Sequence, residues 1–299
     1  MLKAGLIVNT AAVRGRTRAK VERLVRARFR SVDIAPSAGP GDVMRIAGQA
    51  WRMGIRRLLV AGGDGTIHEA ANGVVGTEVE LAILPGGSGN DFVRTIGVPL
   101  DLEEAVDVAA AGQARTIDAA EVRCLGEGGV PVRRVFVNIA EAGMGGSVVR
   151  ISQPLRRIVG RRAGYKAGLA AALLGMRWKD LSLSLDGGEP ARYLMTNLIV
   201  ANGQYFGGGM RPMPEARPDD GLLDVALIKE MTRTSIALNA GALKGGLPRD
   251  HPRIDRWTAR EVVAESPDRV PVEADGELLG RLPATFKVLP GALRIVCPP

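Results

Sequence analysis

Along the first third of the chain, short apolar runs alternate with stretches of helical period. Residues 3–8 read as a strand and residues 16–30 as a basic amphipathic helix. A second strand over 32–35, a helix over 42–53 and a fully apolar strand over 57–61 follow. Residues 69–75 are helical again and residues 81–84 extended. This β-α-β-α rhythm predicts a parallel sheet with helices on both faces. From the third strand on, each strand runs into a glycine-rich turn, the place where open α/β sheets bind ligands.

After a helix predicted over 102–111 the rhythm changes. Residues 115–123 and 132–139 alternate apolar and polar positions and are joined by the loop 126–129, the pattern of a hairpin. Further short strands are predicted over 181–185, 193–200, 223–228, 262–265, 270–273, 286–289 and 293–296. Many short strands with Gly, Pro and Asp turns predict an antiparallel sandwich, with a boundary near Arg115. The fold class is therefore an α/β N-terminal domain, residues 1–114, followed by a β-rich domain over 115–289.

Composition narrows the picture. The 299 residues are 46% apolar, 24% charged and 4% aromatic, an ordinary globular balance with length for two domains. Cys124 and Cys297 form no spaced motif, which suits a reducing cytoplasm. His68 and His251 are the only histidines, so a His-rich metal cluster is excluded. The opening residues MLKAGLIVNT suit a first buried strand better than a secretory leader. No uncharged apolar run reaches the roughly 18 residues of a membrane span. The net charge of +8 points to an anionic partner: nucleotide phosphates, an anionic membrane surface or nucleic acid. With no aromatic-studded basic sheet or reading helix, nucleic acid is not expected.

The sharpest local feature is Gly62-Gly63-Asp64-Gly65-Thr66, directly after an apolar strand and before a helix. Glycines there let the backbone approach a ligand, and the helix aims free N–H groups at the same spot. Asp64 would repel phosphates unless a cation lay between, which points to a metal–nucleotide ligand. A tight βα turn with an Asp cap is the plainer alternative. A second glycine turn, Pro85-Gly86-Gly87-Ser88-Gly89-Asn90-Asp91, follows the next strand. Two such loops on neighbouring parallel strands would line one crevice, with Ser88 as a donor and Asp91 as a second carboxylate. The chain lacks the P-loop pattern and G-x-G-x-x-G, and Asn72 breaks the H-E-x-x-H pattern at His68-Glu69.

These motifs, with Glu69 and Asn72 after the first loop, GGGMRPMPEARPDDGLLDV at 207–225 and VEADGE at 272–277, resemble the diacylglycerol kinase catalytic-domain family. The soluble bacterial lipid kinases belong to that family, and sphingosine and ceramide kinases are relatives. The likeness spans essentially the whole chain in the family's order. It implies an N-terminal domain similar to phosphofructokinase and NAD kinase, rejoined by the last strand, residues 290–299, with ATP in the cleft between domains. Carried onto this sequence, the nucleotide contacts would be Asn9, Ser37, Gly63, Asp64, Gly65, Thr66, Ile67, His68, Glu69 and Ser88. Asp220 and the carbonyls of Arg217 and Leu222 would hold a structural Mg²⁺. Asp64, Asp91 and Asp118 would form a carboxylate and water network, and the Asp275-Gly276-Glu277 turn would supply the base. Glu277 is favoured over Asp275, although the residue types do not separate them, and Asp-Gly between apolar residues also suits a plain hairpin turn. Three positions depart from the family pattern: Asn9-Thr10-Ala11-Ala12 replaces Asn-Pro followed by Ser-Gly, His68 replaces an Asn, and Gly89 replaces a larger residue.

The resemblance implies ATP-dependent phosphorylation of a lipid hydroxyl such as that of diacylglycerol. The competing expectations are a weakly active or inactive nucleotide or lipid sensor on the same fold, and an NAD kinase. A lipid substrate calls for docking on a membrane surface, here the inner face reached from the cytoplasm. Residues 155–178 combine six Arg or Lys with an apolar stretch and Trp178. They suit either an interfacial helix or a helix covering the β domain. A homodimer is allowed by the sequence, and nothing in it argues for one.

Overall fold

The computed structural model describes residues 3–298. The N-terminal part runs β1 (Ala4–Asn9), α1 (Gly15–Arg28), β2 (Val32–Ser37), α2 (Asp42–Ala50), β3 (Arg57–Gly62), α3 (Asp64–Val74), β4 (Glu80–Pro85), α4 (Asp91–Thr95) and α5 (Leu102–Ala111). The remainder runs β5 (Gln113–Leu125), β6 (Pro131–Phe136), β7 (Ile139–Gly143), α6 (Met144–Val159), α7 (Arg161–Leu174), β8 (Lys179–Leu185), β9 (Ala191–Ala201) and β10 (Leu223–Lys229). It closes with α8 (Arg233–Asn239), β11 (Ile254–Ala259), β12 (Glu261–Glu265), β13 (Pro271–Ala274) and β14 (Glu277–Cys297).

Strands β2, β1, β3 and β4 pair in that order, all parallel. The apolar residues of β1, β3 and β4 are buried on both faces, as their near-continuous hydrophobic runs require, whereas β2 at the sheet edge is only partly buried. Helix α1 packs with α5 and α2 with α3. Right-handed crossovers place one pair on each face. The strand order reverses between β1 and β3, so a crevice opens at their carboxyl ends.

β5 and β14 were not expected to be so long. Residues 286–289 and 293–296 read as separate strands because Pro290 and Gly291 stand between them. In the structure they belong to one strand that bulges there and continues. β14 pairs with β13 and then β12 in the β domain, and its end lies parallel to β4 through Arg294 and Ile295. β5 runs antiparallel beside it from one domain into the other. The hydrophobic core divides within β5: Ala119 packs in the N-terminal core and Ala120 in the β-domain core. That division lies inside β5, past the boundary expected near Arg115.

The β domain is an antiparallel sandwich whose layers are joined at both edges. β9 pairs with β8 through one half and β7 through the other, and β14 does the same with β13 and β12. The residues expected in one strand over 132–139 form two, β6 and β7, with the break at Val137 and Asn138. The basic stretch 155–178 is a helical hairpin, not a single helix. Gly160 sits at φ 84° between α6 and α7, a conformation that ends a helix. The side chains of Arg157, Arg161 and Arg162 in this stretch lie outside the described residues. No described helix is long and apolar enough to cross a membrane.

Candidate functional site

The two glycine loops meet backbone to backbone. Gly86 N–H donates to the Gly62 carbonyl at 2.8 Å. A Cβ on Gly87 would stand 2.5 Å from Gly63 Cα, and one on Gly63 would stand 2.9 Å from Gly87 Cα. No other residue type fits there without separating the loops. Helix α3 starts at Asp64, five residues earlier than expected from 69–75, because Thr66 and Ile67 already donate their N–H groups to Gly63. The GGDGT motif is thus the first turn of the helix, and its positive end opens on the crevice.

Around this turn the expected nucleotide contacts separate into groups. The Asn9 side chain donates to Thr66 Oγ1 at 2.7 Å and accepts from the Ala11 N–H at 2.9 Å, tying β1 to α3 across the crevice. Ser37 is buried, with its carbonyl accepting from Thr10 Oγ1. Gly65 and Ser88 are exposed at the two loops. Glu69 Oε2 is buried and has no hydrogen-bond partner, an acceptor that a ligand hydroxyl or amine would satisfy. Ile67 and His68 turn away from this set. Ile67 is sealed in the core, and His68 reaches the other domain.

Asp64, Asp91 and Asp118 are not all brought together. Asp64 Oδ1 accepts from the Asp91 N–H at 2.6 Å and so caps α4. Asp91 in turn accepts from the Gly208 and Gly209 N–H groups at 2.8 and 2.7 Å. Burial, with the Asp64 charge adding to it, pushes Asp91 up to about 6 against the two N–H bonds. Gly89 is explained by this pair, since a Cβ there would come within 2.8 Å of Asp64 Oδ2. Asp118 sits at the joint between the domains. It accepts from Gly221 at 2.7 Å and from Gly291, at the β14 bulge, at 2.8 Å. Its side-chain hydrogen bonds go to the main chain of the DDG loop and of β14.

Asp220 is exposed, and its Oδ1 accepts from the Leu222 N–H at 3.0 Å, which shapes the loop. The expected donors, one carboxylate and the main-chain carbonyls of Arg217 and Leu222, are all oxygen and lie on one loop. That chemistry fits a hard cation that keeps several waters. No group of three or more His, Cys, Asp or Glu side chains placed to hold a metal ion occurs among the described residues.

The turn between β13 and β14 separates its two acids sharply. The Asp275 side chain is 4% exposed and accepts three main-chain N–H groups, from Val137, Asn138 and Ile139, at 2.9 to 3.1 Å. It holds open the break between β6 and β7. The Glu277 side chain is 45% exposed. His68 lies between them, with Nδ1 3.1 Å from Asp275 Oδ2 and Nε2 3.2 Å from Glu277 Oε2. The Nε2 contact is an ion-pair approach that lies off the line of a hydrogen bond. Burial alone would lower His68, but the bonds and charges of Asp275 and Glu277 outweigh it and raise it to about 9. His68, and then Arg134 at 4.0 Å, hold Glu277 below the usual carboxylate range despite its partial burial.

Sequence reasoning missed the residues behind this turn. Glu141 and Glu273 are buried together on neighbouring strands, 4% and 3% exposed. Burial raises both, and Glu273 also feels the Glu141 charge. Glu273 Oε2 accepts from the Gly276 N–H at 2.8 Å, which fixes the turn between β13 and β14, and Asn197 donates to Glu141 at 2.6 Å. A lone Glu in the otherwise apolar β7 was the available signal. Arg134 gave none, being one of two adjacent arginines on an alternating strand.

Residues 3–122 match the diacylglycerol kinase catalytic domain. Residues 138–297 match the YegS C-terminal NAD kinase beta sandwich-like domain. A probable lipid kinase YegS-like of Pseudomonas savastanoi is 32% identical over 89% of this chain and 84% of its own length. A diacylglycerol kinase of Mycobacterium tuberculosis is 29% identical over 92% and 88%. A putative diacylglycerol kinase from Bacillus anthracis superposes with a TM-score of 0.79 at 26% identity, covering 99% of this chain and 98% of its own. Both domain matches in order, the near full-length relatives and the shared fold lead to one conclusion: the chain belongs to the diacylglycerol kinase catalytic-domain family, a family of lipid kinases.

Proposed function

We propose that this protein transfers the γ-phosphate of ATP to the hydroxyl of diacylglycerol, with Glu277 as the general base. The observation that carries this reading is the tie between the two halves of the site. The half-exposed carboxylate of Glu277 is held by a side chain of α3, the helix whose first turn forms the phosphate crevice.

The loops at Gly62–Gly63 and Gly86–Gly87 and the N-terminus of α3 receive the phosphates, and Glu69 and Ser88 offer polar contacts beside them. Mg²⁺ held by Asp220 and the carbonyls of Arg217 and Leu222 would supply charge neutralisation for the phosphates. Glu277 takes the hydroxyl proton as the new O–P bond forms and the bond from the γ-phosphorus to ADP breaks. Asp275, committed to three N–H groups, fixes the turn and does not take the proton. The exposed Ile158, Leu174 and Trp178 on and after the helical hairpin, with Arg177 among them, support docking on an anionic membrane surface.

Transfer of labelled γ-phosphate to diacylglycerol, phosphatidylglycerol, sphingosine and NAD, each with Mg²⁺, tests the reading. Labelled phosphatidic acid is expected as the main product. Label in NAD alone, or ATP binding with no labelled product, would overturn it in favour of an NAD kinase or a sensor.

A further inference from the structure

We propose that His68 is a positioning residue for phosphoryl transfer: bridging Asp275 and Glu277, it sets the Glu277 carboxylate against the crevice on which its own helix opens. The inference rests on the kinase reading above and adds to it the residue that orients the base.

Geometry carries it. His68 belongs to α3, the fifth residue of the helix that begins at Asp64, whereas Asp275 and Glu277 belong to the β domain. Its side chain is 5% exposed and lies between the two carboxylates, with one ring nitrogen near each. Asp275 is itself immobilised by three main-chain N–H groups, so it anchors the ring from the side away from the solvent. The far nitrogen then faces Glu277, whose side chain is otherwise held, among the described residues, only by Arg134 at 4.0 Å. A neutral amide at position 68 could donate to one carboxylate. It could not carry a positive charge to both, as an imidazolium does with Nδ1 bonded to Asp275 and Nε2 3.2 Å from Glu277. The departure from the family's Asn therefore brings a charge to the contact between the domains.

The charged groups around the ring fix the sign of its pH dependence. Asp275 and Glu277 face it from the turn, Arg134 of β6 stands beyond Glu277, Glu273 of β13 lies behind Asp275, and Glu69 follows on α3. The two nearest are anionic and favour the imidazolium. His68 is raised from an ordinary 6.5 to about 9 in the folded protein. Its contribution to stability is therefore complete below pH 6.5 and lost as the pH rises through about 9. Above that pH the Nε2 lone pair faces the Glu277 carboxylate, the contact becomes repulsive, and the base swings free.

The test uses the full chain labelled at its histidines, of which there are two, His68 and His251, so the imidazole NMR spectrum has two sites to assign. One midpoint is expected near pH 9, and it should fall by about one pH unit in Glu277→Gln. In lipid phosphorylation assays kcat should fall as the pH passes about 9. His68→Asn should lower kcat roughly tenfold with the KM for ATP nearly unchanged, and should lose that alkaline limb. A His68 midpoint near 6.5, or one indifferent to Glu277→Gln, would overturn the bridge even if His68→Asn fails to fold. Superimposable pH profiles for wild type and His68→Asn would overturn the positioning role while leaving the kinase reading intact. No phosphate transfer by wild type, with the high midpoint present, would overturn the kinase reading and with it the role assigned to His68.

Discussion

The phosphate crevice and the catalytic turn are built by opposite means. At the crevice, main chain meets main chain: Gly63 and Gly87 pack without side chains, and their loops are joined by the Gly86–Gly62 hydrogen bond. At the turn, side chains do the joining: Asp275, His68 and Glu277 form a line of alternating charge across the domain boundary. The first kind of contact leaves no room for an added atom and contains no titrating group. The second accepts changes of shape at its exposed end and depends on protonation. The difference teaches where substitutions act: on the packing at the crevice, on the charge at the turn.

Four substitutions would sharpen or break this contrast. Asp275→Ala should do most, since it strands three buried N–H groups and leaves His68 without its anchor. A loss of about 3–5 kcal/mol in denaturant unfolding is expected, together with activity. A loss below about 1 kcal/mol would show that the turn does not depend on that carboxylate. Glu277→Gln should lower kcat by about 10²–10³ with little change in stability, because its side chain is half-exposed and the amide keeps its shape. An equally large loss of stability would make Glu277 a structural residue like Asp275. Gly87→Ala should weaken ATP binding tenfold or more and cost about 1–3 kcal/mol, as its Cβ must push the Gly63 loop away. Unchanged affinity by calorimetry would mean that the two loops need not touch. Glu273→Gln should have the smallest effect, and of opposite sign. The amide oxygen can still accept from Gly276, and a buried carboxyl with a raised pKa is removed. Such a carboxyl contributes fully below its unfolded value of 4.5, and the contribution is lost as the pH rises through its folded value. The variant should therefore gain about 1 kcal/mol over wild type at pH 8 and nothing at pH 4. A gain independent of pH would contradict the raised Glu273 carboxyl.

Much of this arrangement was legible in the chain. The parallel strands β1, β3 and β4 show as apolar runs because both their faces are buried. Helix 102–111 was found at its observed bounds because Asp101 caps it by accepting from Glu103 and Glu104. The start of α3 was misplaced because three glycines in four residues read as turn, whereas the helix begins directly behind Gly63, with Gly65 inside its first turn. β14 read as two strands because Pro290 and Gly291 mark a bulge as readily as an end. At the site, residue type and spacing pointed to the glycine loops and the acids, and left Asp275 and Glu277 undivided. What separates them is the break at Val137–Ile139, more than 130 residues away, where three N–H groups converge on Asp275. The partners of His68 were hidden for the same reason: a histidine in the first turns of a helix carries no local sign of two carboxylates from another domain.

The most direct test of the central claim is a single turnover in mixed micelles. Wild type and Glu277→Gln, matched in thermal stability, are given stoichiometric ATP, Mg²⁺ and diacylglycerol, and phosphatidic acid is followed by mass spectrometry. The account predicts phosphatidic acid from wild type within the first turnover, and formation at least about a hundredfold slower from the variant. Equal rates from the two proteins, or no phosphatidic acid from wild type, would contradict it.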